Sequence, residues 1–298
     1  MRRIVYVVIF PLVFVAILTA QKFPDTCANG NTPHFPGRTA APIDNQCGLN
    51  GAPPQGHPEE GLQNQAKNNF CADAASPEPI KLSKIQSLQS DAETQENKKH
   101  FTPGQPPPDR TFLKTLGEGH VVLFEGFVFH ARQECKETVN CGAAPPNVNA
   151  SHDIHIALLE QPRKTQTSDP KPAQDKEECM GFVAEMIPHH RPAEWTACNV
   201  NDVADKRLRV RVTGQQFFDG SHVPCKNDVP QGSNPKRVSL WEIHPIYSFE
   251  VCPSGDCATG GWQQLETFAA GKTECPEADC QVKKHNSAPK STKKKEGI

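Results

Sequence analysis

The chain has 298 residues, a formal net charge of −2 and a hydrophobic fraction of 36%. That charge balance excludes a global pull toward nucleic acid or a membrane surface. With 28 prolines and 20 glycines the chain is loop-rich, and its length allows one or two domains around a modest core.

MRRIVYVVIFPLVFVAILTA, residues 1–20, has a basic start, an apolar centre and Ala20 at a cleavage-type end, the pattern of a secretory signal. An uncleaved anchor is the alternative, and no later stretch is apolar enough to span a bilayer. The 12 cysteines, at 27, 47, 71, 135, 141, 179, 198, 225, 252, 257, 275 and 280, all follow it. In an oxidising compartment they read as up to six disulfides, with 252/257 and 275/280 as local loops, and no CxxC favours a zinc ribbon instead. The expected setting is therefore periplasmic or extracellular.

Residues 21–108 read as a Pro/Gly/Asn-rich arm. A helix is expected over 61–72, with Leu62, Ala66 and Phe70 on one side at helical spacing, and a second within 80–95 around Ile85 and Leu88. A polar, proline-rich connector, 95–110, precedes a short turn in TFLKTL. From Gly117 the period changes to two, and residues 109–252 form the expected barrel domain. Strands are expected at 120–134 (Val121, Leu123, Phe127 and Phe129 on one face, a bend or bulge at Gly126), 151–160, 179–188, 206–220 and 237–252. Residues 161–178 read as a polar loop and 193–198 as a helical turn. Five strands predict a mainly β fold, a closed or partly closed barrel of the oligonucleotide/oligosaccharide-binding (OB) type, with a β-sandwich as the alternative. Residues 253–298 form a Cys-containing extension ending in a lysine-rich tail that reads as solvated chain.

Chemistry concentrates on three of these strands. Asp153 and His155 share a face, Glu185 lies among apolar residues, and Glu242 and His244 share a face in SLWEIHPIYSFEV. Buried carboxylates are normally paired or metal-bound. Three outcomes follow: a Zn²⁺ or Mn²⁺ site on Asp153, His155 and His244 with Glu185 and Glu242 in catalytic roles, a closed ion-pair network that pins register, or side chains at a solvated rim. No sharp metallohydrolase, nucleophile-elbow, P-loop or dinucleotide pattern occurs. Arg207, Arg209 and Arg211, with Trp195, form a second candidate, a ligand face for an acidic polymer, against the plainer reading of an outward strand face and a core tryptophan. Nothing in the sequence names a partner. Two functions follow, a non-enzymatic binding or envelope-associated module and a metal-dependent, phosphodiesterase-like hydrolase.

HDIHIALLE, EMIPHHRPAEW, RVRVTGQQFFDGSHVPC and SLWEIHPIYSFEVC, in that order, together with IDNQCGLNG and LQNQAKNNFC, resemble a group of exported bacterial proteins with no assigned mechanism. The resemblance implies that arm and barrel form one unit in a bacterial envelope or extracellular setting. It implies no catalytic residue.

Overall fold

The structure is a computed structural model that describes residues 22–27, 41–99, 104–135, 137–142 and 151–272. The proposed signal, Cys275, Cys280 and the lysine-rich tail lie outside the described residues. Seven strands form one sheet: β1 (Glu78–Ile80), β2 (Val121–Gln133), β3 (Ile154–Leu159), β4 (Phe182–Met186), β5 (Arg209–Phe218), β6 (Trp241–Cys252) and β7 (Gln263–Gln264). Five close on themselves in the order β2-β3-β4-β6-β5, with β5 pairing back onto β2. Every pairing in this ring is antiparallel except β4 with β6. The protein is mainly β, a closed five-stranded barrel, and the sandwich alternative does not hold.

Closure depends on β2. Val121–Phe127 pairs with β5, and Phe127–Gln133 pairs with β3. Gly126 sits at this handover, where a Cβ would lie 2.3 Å from the Leu159 carbonyl oxygen. The register break itself falls between Val128 and His130. The core face of β2 is Val122, Phe124 and Val128, whereas Leu123 and Phe127 are half-buried. Leu123 and Phe127 do share a face, and it is the one turned away from the core. Glu125 lies between them in the alternation and pairs outside the barrel with Arg209 and Arg211, which assigns that face to the exterior.

The helices are α1 (Pro58–Lys67), α2 (Leu82–Lys99), α3 (Thr111–Thr115), α4 (Lys171–Glu178), α5 (Ala197–Asp205) and α6 (Leu265–Phe268). Ile85, Leu88 and Ala92 of α2 and Val200, Val203 and Ala204 of α5 join the barrel core. α5 extends the short turn read at 193–198. It starts at Thr196, whose side chain accepts from the Asn199 N–H. α4 lies inside the stretch read as loop. α1 begins three residues earlier than expected and buries Gln63, Asn64 and Lys67 while Leu62 is 43% exposed. Its buried side is the polar one.

Disulfides link Cys27 to Cys71, Cys47 to Cys141, Cys179 to Cys225 and Cys252 to Cys257. The last is the local loop expected from its spacing, and the set fits an oxidising compartment. Among the described residues no helix is long and apolar enough to cross a membrane.

Candidate metal centre

Register places the acids and imidazoles on the barrel's outer wall. On β3 and β4, Ile154 faces Met186 and Ile156 faces Ala184, and all four belong to the interior core. The alternate residues His155 and Glu185 are paired with each other and point the opposite way. On β6, Trp241 and Ile243 are core, which turns Glu242 and His244 outward beside Glu185. An outer wall would ordinarily be wet. Here α1 and the residues around Glu137 lie over it, so Asp153, His155, Glu185, Glu242 and His244 are each at most 1% exposed. The five residues named from sequence do come together, with Asp153 just ahead of β3.

Distances separate two kinds of contact. His155 Nε2 lies 3.3 Å from Glu185 Oε2 and 3.4 Å from Glu137 Oε1. His244 Nε2 lies 2.8 Å from Glu185 Oε2 and 3.4 Å from Asp153 Oδ2. Charge-assisted N–H···O⁻ bonds run at about 2.7–2.9 Å. Yet both oxygens of Glu185 and both ring nitrogens of His155 are buried without a hydrogen bond of acceptable geometry. Donors bound at about 2.0–2.1 Å in a tetrahedron stand about 3.3–3.5 Å apart. The Glu137–His155–Glu185 set meets that spacing at both edges that meet at His155. All three ligand atoms lie within 4.8 Å of one another, as do those of Asp153–Glu185–His244 and Asp219–His222–Glu242. His155 Nδ1 faces the Glu134 carboxylate at 3.7 Å, on the side where a ligating imidazole is usually oriented.

A cleft of about 350 Å³ opens onto the first set. Its lining includes Lys67, Glu137, His155, Asp219 and His222. Asp153, Glu185, Glu242 and His244 do not line it, and Glu185 meets the lining residue His155 from the barrel side. Lys67, delivered by α1, places its ammonium 3.2 Å from Asp219, 3.6 Å from Glu185 and 3.7 Å from Glu137. Burial would lower its pKa, but these three carboxylates hold it well above the ordinary lysine value. Asp219, though buried, is held well below its ordinary value by Lys67 and His222. It also accepts from Gln63 and from the Ser221 N–H.

His222 Nδ1 lies 2.9 Å from Asp219 Oδ2. Burial and the Arg237 charge lower the His222 pKa, so the ring is neutral near pH 7 with Nε2 left to accept a proton. Burial works against charge on His155 and His244 too, but the neighbouring carboxylates raise them to about 8 and about 10. Glu185 is correspondingly held well below its usual range, chiefly by His155 and Lys67, against its burial. Glu242 is pushed up to about 8 by burial and by Glu185, despite the Arg237 guanidinium on its Oε1. Asp153 accepts from the Asn140 amide at 3.1 Å.

The second candidate face is elsewhere. Arg209 and Arg211 lie on the outer face of β5, paired with Glu125, and Arg211 stacks on Trp262 at 4.4 Å. Arg207 occupies the turn before β5 at φ 51°. None of them lines the cleft. Trp195 is a core residue whose indole N–H donates to Glu266 at 2.9 Å. The sequence reading missed Lys67, Glu137, Asp219 and Arg237, which come from a helix, a short 3₁₀ approach, a strand end and a loop. The polar buried side of α1 was the available signal for Lys67. No protein-family model, curated protein or solved structure matches the chain.

Proposed function

We propose that this is an exported, disulfide-stapled barrel protein of OB type. In this reading it holds one divalent metal, Zn²⁺ or Mn²⁺, on Glu137, His155 and Glu185, and hydrolyses an ester in the adjoining cleft. The carrying observation is the largely buried Glu137–His155–Glu185 set, spaced as metal ligands, with both His155 nitrogens and both Glu185 oxygens lacking a hydrogen bond and with Glu137 and His155 lining the cleft. The α5 helix between the third and fourth barrel strands supports the OB assignment, and the disulfides support export. Imidazole with carboxylates suits zinc or manganese.

When bound, such a metal polarises the scissile group and lowers the pKa of its water toward about 7. The chain's own residues supply the rest. His222, held by Asp219, takes a proton from the attacking water. Lys67 faces the charge that develops on an ester oxygen in the cleft. His244, itself paired with Asp153, holds Glu185 from behind, and Glu242 with Arg237 closes the back of the site.

One observation favours a second reading. Lys67 and protonated His155 and His244 neutralise much of the acid cluster without any metal, as a network that pins register would require. Metal content separates the two. The untagged mature chain, purified from an oxidising compartment, is expected to carry near-stoichiometric zinc or manganese by elemental mass spectrometry. His155→Ala is expected to lose it while keeping its far-UV circular dichroism. A parent that stays metal-free after incubation with each ion and desalting would overturn the hydrolase and leave a register-pinning network in a binding module.

A further inference from the structure

A second cavity of about 250 Å³ adjoins the cleft. Asn234 lines both, and the wall between them is an ion pair: Arg132, on the second cavity, donates to Glu134, on the cleft, at 2.7 Å. The second cavity is lined by His130, Arg132, Arg163 and Lys171, with Glu178 as its one lining acid. The other acids that pair with these cations stand outside it. Arg163, mostly buried, meets the exposed Asp205, and the exposed Lys171 meets the mostly buried Asp175. Because those carboxylates are not part of the lining, the cavity wall itself presents three basic side chains against one acid. Burial raises the Glu178 pKa, while Lys171 and Arg132, which face it, act to lower it. Thr165 and Thr167 add hydroxyls to the same lining.

We propose that this cavity is an anion subsite that takes a phosphoryl group, and that the hydrolase substrate is therefore an ester carrying a phosphorylated arm. The arm would seat against Arg132, Arg163 and Lys171 while the scissile bond lies in the cleft beyond Asn234. The substrate half of this inference rests on the hydrolase reading, but the anion subsite does not.

The test uses inorganic pyrophosphate and the intact mature chain stripped of metal with chelator, followed by calorimetric titration. Binding is expected in the parent, weakened at least about tenfold in Arg163→Gln/Lys171→Ala, and unchanged in Lys84→Ala, an exposed lysine on α2. His155→Ala is expected to bind as the parent does. No binding at millimolar pyrophosphate, a double variant that binds like the parent, or an equal loss in Lys84→Ala would each overturn the subsite. Loss in His155→Ala would place the anion in the cleft and overturn it as well. Pyrophosphate binding that behaves as expected in a protein that never takes up metal would leave the subsite standing and remove only the hydrolase.

Discussion

Glu242 shows how one buried acid can be structural within a functional cluster. Its carboxyl meets Arg237, also fully buried, and it stands behind the residues that face the cleft. With its folded pKa raised from about 4.5 to about 8, its stabilising contribution is full below about 4.5 and is lost as pH rises through about 8. Glu242→Gln keeps an acceptor for Arg237 and cannot ionise. Urea unfolding of parent and variant from about pH 5 to about pH 8 is therefore expected to shift in the variant's favour as pH rises. Parallel stability curves would show that Glu242 is ionised throughout. Glu242→Leu removes the acceptor and strands a buried guanidinium, at a cost of about 3–5 kcal/mol.

At the scale of elements, the strands were legible because alternation survives wherever one face is buried. Val210 and Val212 inward with Arg209 and Arg211 outward is the clearest case. Legibility failed where both faces are covered. β6 is buried almost throughout, and two register shifts against β5 reset which residues point inward, from Phe249 to Ile246 and from Ile246 to Ile243. It also failed on α1, because a helix laid over an acid cluster buries amides and a lysine rather than leucines. Asp153, His155, Glu185, Glu242 and His244 could be grouped from strand parity alone. Lys67, Glu137 and Asp219 could not, since no periodicity links a helix, a turn and a strand end that are far apart in sequence. The shifts on β6 make a prediction. Gly214 sits at them, and a Cβ there would lie 2.4 Å from the Pro245 carbonyl and 2.6 Å from Ile243 Cγ2. Gly214→Ala is expected to cost about 1–3 kcal/mol in chemical denaturation and to reduce bound metal, because β6 must move where it carries Glu242 and His244. Unchanged stability would mean the β5–β6 contact is looser than these distances.

At the scale of the molecule, a small barrel has been given a buried site on its outside by wrapping an arm over one wall. The cross-links fall where that arrangement needs them. Cys47–Cys141 ties the arm to the segment that carries Glu137 and Asn140, and Asn140 in turn holds Asp153. His189, just past β4, grips the same arm through Asp44 at 2.5 Å and through ring stacking on Phe23 at 3.5 Å. The arm is thus anchored at Cys47 and, through Asp44 and Phe23, at His189, and it also carries Lys67. Removing Cys47–Cys141 acts on both stability and the site. Cys47→Ser/Cys141→Ser is expected to lose about 2–4 kcal/mol, through the freed loop entropy of the unfolded chain. It is also expected to weaken metal binding by about tenfold, because Glu137 is then ordered only on binding. The barrel core does not depend on this bond, so far-UV circular dichroism should hold while metal competition against a fluorescent chelator shifts. Cys252→Ser/Cys257→Ser opens a loop far smaller than the one closed by Cys47–Cys141 and touches no proposed ligand. It should leave metal affinity where it is, and an equal loss in both variants would mean that the arm does not organise the site.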